Sequence, residues 1–435
     1  MALGGGTFTV QNKELPGAYV NFVSVSGASA ALSERGIATM PLELDWGPAG
    51  EVFEVSDADF RKDSLKLFGY PYGHEKMKGL RDLFLNARTL YAYRLNEGAR
   101  ASNIYAEAVY GGTRGNDLKV VVQVNADNES LYDVKTVFGT QVVDEQTVSG
   151  MAGLKANDYV TWKADAELAA TAGTPLTGGT NGTADGGAYQ AYLDKIESYT
   201  YNAMGAAVED DTTKALFSSF VKRMRDDLGI KFQLVLYDYP QADYMGCVSV
   251  KNQVTDAGWG KAALVHWVTG ACAGCAVNRS NQNKMYDGAF AVDTGFTQNQ
   301  LKAAVKAGEF VLHRVGMDIR VLEDVNTMVT VSDTQGEVFK DNQTVRVMDQ
   351  IGNDIAVLFC TKYLGIVPND AAGRISLWSD IVKHHRQLQE IRAIDEFADS
   401  DVTVTQGETK RSVVVTDLVT VVSSMGTLYM TVTVK

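Results

Sequence analysis

The final stretch of the chain alternates strictly: Leu428, Met430, Val432 and Val434 fall on one side, Thr427, Tyr429, Thr431, Thr433 and Lys435 on the other. A period of two is that of a β-strand, so residues 426–435 are expected to form an arm strand at the end of the chain. Phe8 and Val10 alternate in the same way with Thr7, Thr9 and Gln11 behind Gly4-Gly5-Gly6. This predicts an N-terminal arm over residues 1–17, joined to the body through Pro16, Gly17 and Tyr19. A strand without a neighbour offers a row of free N–H and C=O groups and is a template for another chain. The alternative is that each end adds an edge strand to its own domain.

Between the ends the pattern changes several times. A strand is expected at 20–25, helical periods run through 57–68 and 75–87, and an aromatic strand follows at 89–95. From 103 to 163 short strands such as 118–124 and 132–137 are separated by Gly111-Gly112, 125–128 and 149–153, which reads as a sandwich-like all-β insert over 99–175. Tyr189, Tyr192, Leu193, Ile196 and Tyr199 then line one helical face. Leu216, Phe217, Phe220, Val221, Met224 and Leu228 keep the i, i+3/i+4 spacing behind Asp210 and Asp211, and Gly229 supplies a stop. Strands at 230–237 and 245–250, a helix around 260–270 and a strand at 309–314 continue a layered α/β core, made of residues 18–98 and 176–320. Two helices, 345–363 and 372–394, precede a β-rich tail at 402–434, giving a C-terminal α+β domain over 321–425.

Composition restricts the function. The 435 residues are 45% hydrophobic and 21% charged, enough for several folded domains. A net charge of −13 argues against general nucleic-acid binding and attraction to anionic membranes. No run approaches 18 apolar residues, and the first ten residues lack a basic leader, so neither membrane insertion nor export is expected. Cys247, Cys272, Cys275 and Cys360 are too scattered for a disulfide framework. Cys272 and Cys275 make one C-x-x-C, either half a zinc or redox site or two small buried residues near a helix end; no histidine stands at finger spacing.

The nucleophile elbow, the P-loop, the zincin helix and the EF-hand loop are all missing. The glycine-rich loop from Leu176 to Gly182 precedes a helix and could cradle phosphate or connect domains, but it has no lysine. The carboxylates Asp210, Asp211, Asp226, Asp227, Asp238 and Asp243 contain no pair that spacing singles out. On the helix 372–394, Leu377, Trp378, Ile381, Leu388 and Ile391 form an apolar stripe, Lys383 and Arg386 project away from it, and Arg392 lies closer to it. Such cations are either a contact surface or a solvated face with its own salt bridges.

Several strings in order along the chain carry a resemblance. They are Leu15-Pro16-Gly17-Ala18-Tyr19-Val20, the loop 176–182 before a tyrosine-bearing helix, Asp324-Val325-Asn326-Thr327-Met328-Val329-Thr330, the helix beginning Val345-Arg346-Val347-Met348-Asp349-Gln350, and Tyr363-Leu364-Gly365-Ile366-Val367-Pro368-Asn369-Asp370. Together they resemble the contractile tail sheath proteins of bacteriophages and phage-like particles, including R-type bacteriocins and contractile injection systems. The resemblance implies a subtilisin-like α/β core without catalytic residues, and arms that pair as strands with neighbouring subunits through Phe8, Val10, Leu428, Met430, Val432 and Val434. It implies a helical homo-oligomer around an inner tail tube, with baseplate and tail terminator proteins as further partners, that contracts to drive the tube through a cell envelope. No cofactor, metal, nucleic acid or membrane insertion is implied. The location would be a virion or particle tail assembled in the bacterial cytoplasm. Lys383, Arg386 and Arg392 match the family's tube-contact helix by position and character, against which Asp395, Glu396 and Asp399 count. The alternatives are another phage tail structural protein and an α/β hydrolase with an unrecognised site.

Overall fold

The computed structural model describes residues 31–434. Contacts divide the chain into two compact units, one of residues 34–350 with 421–435, the other of 351–420 with the lead-in up to Ser33.

The larger unit is built on a seven-stranded sheet in the order Glu309–Phe310, Cys247–Val250, Gln233–Tyr237, Ala203–Ala206, Ile37–Leu42, Thr89–Arg94, Val52–Ser56. Every pairing is parallel except the last, where Val52–Ser56 runs antiparallel on the edge. A parallel sheet needs cover on both faces, and the alternation along Gln233–Tyr237 supplies it. Leu234 and Leu236 enter a cluster with the helices Gly186–Ile196 and Asp211–Lys222. Val235 enters the opposite cluster with Asp57–Phe68, Lys78–Phe84 and Val265–Gly274.

Local chemistry sets the helix limits. Ser56 caps Asp57–Phe68 in a reciprocal box with Asp59, and Gly69 ends it at φ 74°. Asp210 accepts from the Thr213 N–H at the head of Asp211–Lys222, whose last turn widens into a π-type turn at Arg223–Asp227. From that turn the buried Arg225 grips Asp349 with two bonds of 2.6 and 2.7 Å. Burial pulls the Arg225 guanidinium down, but the Asp349 charge more than offsets it and holds the group above its ordinary value.

Between Thr89–Arg94 and Gly186–Ile196 the chain leaves the sheet and builds a sandwich. One face orders Thr171–Pro175, Leu118–Val124, Tyr132–Phe138, Gln141–Val148; the other Arg100–Ser102, Ala106–Gly111, Val160–Trp162. Inward residues including Leu118, Val120, Val122, Val134 and Val160 close around Trp46, whose indole N–H donates to the Lys66 carbonyl at 2.9 Å.

In the smaller unit the helix Ala371–Glu390 begins at Asp370, which accepts from the Gly373 N–H, and packs Leu377, Ile381 and Val382 with Leu358, Tyr363 and Val402. The strands Val402–Gln406 and Val413–Asp417 form an antiparallel hairpin. The helix expected over 372–394 therefore stops at Glu390, and Arg392 lies beyond it at φ 62°. The apolar stripe is corrected too: Ile391 is exposed, while His384 and His385 are buried with Leu377, Ile381 and Leu388.

Candidate assembly interface

The predicted N-terminal strand residues Phe8 and Val10, the junction Pro16, Gly17 and Tyr19, and the strand 20–25 lie outside the described residues. The C-terminal arm is described. Gln343 holds its root, donating to the Val422 carbonyl and accepting from the Ser424 N–H. Beyond it, residues 425–434 join no strand ladder of the described chain, and Leu428, Met430, Val432 and Val434 are 82%, 74%, 69% and 87% exposed. An apolar face left open to this extent loses the burial that stabilises a strand, roughly 25 cal/mol per Å² of area removed from water. The segment keeps the alternation of a strand with no ladder partner among the described residues. The hairpin Val402–Gln406/Val413–Asp417 is likewise a sheet of two strands only, with Val414, Val415 and Leu418 exposed.

The cations of the Ala371–Glu390 region divide. Arg386 is bound by Asp399 through contacts of 2.7 and 2.8 Å, so its charge is matched within the subunit. Lys383 and Arg392 are exposed and make no ion pair among the described residues.

Other candidates resolve into structure. Cys272 and Cys275 are buried at the end of Val265–Gly274, and burial pushes the Cys272 thiol up to about 12. Arg35 donates to the Cys275 and Cys272 carbonyls at 2.8 and 3.1 Å, a cation placed at a helix C-terminus. Among the described residues no three His, Cys, Asp or Glu converge as a metal cradle. The glycine loop is a tight crossing: Gly179 N–H donates to Asn116, Thr180 N–H to the Ala99 carbonyl, and a Cβ on Gly182 would sit 1.8 Å from the Glu97 carbonyl oxygen. Its amides are thus engaged with the sandwich.

In open α/β sheets ligands bind where the strand order reverses, at the carboxyl ends. Here that point lies between Ile37–Leu42 and Ala203–Ala206. A cleft of about 370 Å³ opens there, lined by residues including Glu43, Lys76, Tyr189, Trp259 and His266, with no serine, threonine or cysteine among them. His266 donates from Nδ1 to the Ala263 carbonyl at 3.0 Å, so Nδ1 carries the hydrogen. Burial lowers its pKa. The free amide at Lys261, where the following helical turn starts, already meets the Glu209 carboxylate at 2.7 Å.

Family models match in sequence along this architecture: the tail sheath protein Gp18 domain III N-terminal region over 35–95, the phage tail sheath protein beta-sandwich domain over 87–181, the central domain over 182–327 and the C-terminal domain over 334–435. The phage-like element PBSX protein XkdK of Bacillus subtilis is 32% identical over 93% of this chain and 94% of its own. The chain belongs to the phage tail sheath protein family. The sheath tail protein of Desulfitobacterium hafniense superposes with a TM-score of 0.79 at 38% identity, over 90% of this sheath chain and 93% of that one. A sheath chain of the anti-feeding prophage, solved as a helical sheath in the contracted state, shares the fold with a TM-score of 0.59 at 15% identity, over 97% and 99%. The α/β unit, the sandwich and the C-terminal domain are thus the parts of a structural sheath subunit.

The sequence set Asp395, Glu396 and Asp399 against the tube-contact cations, and of these it is Asp399, thirteen positions away and outside any helical spacing, that neutralises Arg386. The burial of His384 and His385 carried a faint signal, since both flank the stripe positions Ile381 and Leu388.

Proposed function

We propose that this sheath subunit polymerises helically around an inner tail tube by exchanging strands with its neighbours, and that the lattice shortens to drive the tube through a target envelope. The observation that carries this reading is the C-terminal arm: four alternating apolar side chains, each more than two-thirds exposed, on a segment with no ladder in its own described chain. A donated strand makes a head-to-tail contact, and such contacts generate rings or open helices. Each backbone bond contributes only about 0.5–1.5 kcal/mol net, yet several per arm over many copies hold a mesh together while the folded bodies re-pack. The anti-feeding prophage sheath of the same fold, in its contracted state, supports the helical arrangement and the shortening. Lys383 and Arg392 are the proposed tube-facing cations, with Arg386 reduced by Asp399. Baseplate and terminator proteins would bind the ends of the lattice. The core resembles a subtilisin-like layer, and a cleft lined by no serine, threonine or cysteine supports a subunit that performs no hydrolysis.

Deleting 426–435 tests the reading. The truncated protein is expected to keep its circular dichroism and melting midpoint while forming no cylinders in negative-stain micrographs. Normal cylinders would remove the arm from assembly, and unfolding would make it an edge strand of its own domain.

A further inference from the structure

The cleft at the strand reversal carries polar groups that the subunit itself does not satisfy. It draws them from both faces of the sheet. Glu43 follows the end of Ile37–Leu42, Tyr189 lies on Gly186–Ile196, His266 is the second residue of Val265–Gly274, and Trp259 stands just ahead of the turn before that helix. His266 is 8% exposed, and with Nδ1 donating to the Ala263 carbonyl, its Nε2 is left as an acceptor without a partner among the described residues. The exposed Glu43 carboxylate and the half-buried Tyr189 hydroxyl likewise have no hydrogen-bond or ion-pair partner among the described residues. Burial, followed by the Glu43 and Asp210 charges, pushes the Tyr189 hydroxyl up to about 12, so it stays protonated at neutral pH. The Trp259 ring is braced edge to face by Phe290, with centroids 4.9 Å apart, and stands 6.2 Å from the His266 ring.

These groups select the charge of a ligand. An anion would meet one cation in the lining, Lys76, which already faces Asp45 at 3.9 Å, while the Lys261 amide is held by Glu209. A metal ion would find no cradle of three ligands among the described residues. A carboxylate, a bare imidazole nitrogen and a phenolic oxygen all accept from N–H donors, and the face of an aromatic ring attracts a cation. The volume of about 370 Å³ stands at the small end of ligand pockets, which run from about 300 to 1,000 Å³. We propose that this cleft binds an organic cation, a guanidinium or a primary ammonium, with Glu43 as its counter-charge, His266 Nε2 as a buried acceptor, and Trp259 and Tyr189 as aromatic walls. The cation is carried either by a free small amine or by a lysine or arginine side chain of a second copy of this chain, and the chemistry of capture is the same.

Calorimetric titration of the unassembled full chain with butylguanidinium, and with butylurea as its uncharged analogue, tests the site. Saturable binding of butylguanidinium is expected, at least about tenfold tighter than that of butylurea and weakened by salt. Glu43→Gln, at an exposed position without a partner, should keep the circular dichroism and melting midpoint of the wild type and weaken butylguanidinium about tenfold. No saturable binding, equal affinity for butylurea, or unchanged affinity in the variant would overturn the proposal, and the comparison with butylurea needs no variant. Repeating the titration on assembled cylinders separates the two sources. Binding retained there points to a free amine; binding lost there, while unassembled subunits still bind, points to a basic side chain of a neighbouring copy. Binding by the unassembled subunit stands whether or not cylinders form, so its failure and the failure of strand exchange are separate results.

Discussion

Asp45 illustrates how single side chains tie the sheet to the sandwich. It accepts from Tyr70 Oη at 2.6 Å and from Asn181 in the glycine loop at 2.7 Å, with Lys76 at 3.9 Å. Burial pushes its carboxyl upward, but the two hydrogen bonds and the nearby Lys76 and Arg94 charges outweigh that and hold it below the ordinary aspartate value. Stability from this lowered value is fully present above the unfolded-chain value of about 3.9 and is lost as pH falls through the folded one. Asp45→Asn should therefore lower the urea midpoint at pH 7 and flatten its decline below about pH 4. An acid limb identical to that of the wild type would show that Asp45 is not one of the groups setting it.

At the scale of elements, the arm makes a prediction that deletion cannot. If residues 427–434 add to a neighbour's sheet, the two faces are unequal, because only one is apolar. Replacing Leu428, Met430, Val432 and Val434 together by serine should abolish cylinders, while replacing Thr427, Thr431 and Thr433 by serine should leave them. Equal effects from both sets would mean that the arm does not dock as a strand. The helix Ala371–Glu390 has its own asymmetry: Arg386 is already paired with Asp399, so Lys383 carries more of its unmatched charge. Lys383→Glu is expected to weaken co-sedimentation with tube, increasingly so at low salt, and to spare self-assembly; each exposed contact is worth only about 0–1 kcal/mol, multiplied by many copies. Unchanged co-sedimentation at every salt concentration would take Lys383 out of the tube contact.

On the scale of the whole molecule, a layered α/β core serves a structural sheath subunit. The cleft at the strand reversal holds a buried histidine but no serine, threonine or cysteine, and Ser218 and Ser219 sit on the helix Asp211–Lys222, the latter bonded to the Ala215 carbonyl. Incubation with a serine-reactive fluorophosphonate should label no residue stoichiometrically. Labelling of one serine that vanishes when a histidine is replaced would establish hydrolase chemistry.

Wherever burial is written as a period, the sequence alone determined the element. The helix Asp57–Phe68 and the strand Leu118–Val124 have the limits their patterns predict, and the arm's alternation is plain without any structure. The central strands Ile37–Leu42 and Ala203–Ala206 were not legible, because they are short, rich in small residues and carry Pro41 and Gly205. The tertiary structure supplies the reasons. Ile37–Leu42 pairs with Ala203–Ala206 only at Ala38 and Thr39, so Pro41 lies where that neighbour has fallen away, and its missing N–H matters less. A Cβ on Gly205 would meet Thr269 Oγ1 at 2.1 Å, so the helix Val265–Gly274 can pack on the sheet only because that residue is small. The same holds for charge: residue types placed Lys383 and Arg386 on one helix, but only the fold brought Asp399 to Arg386 and two aspartates to His384 and His385. Periodicity reports which face of an element is buried. How closely two elements approach, and which distant polar group completes another, depend on chain segments that meet only after folding.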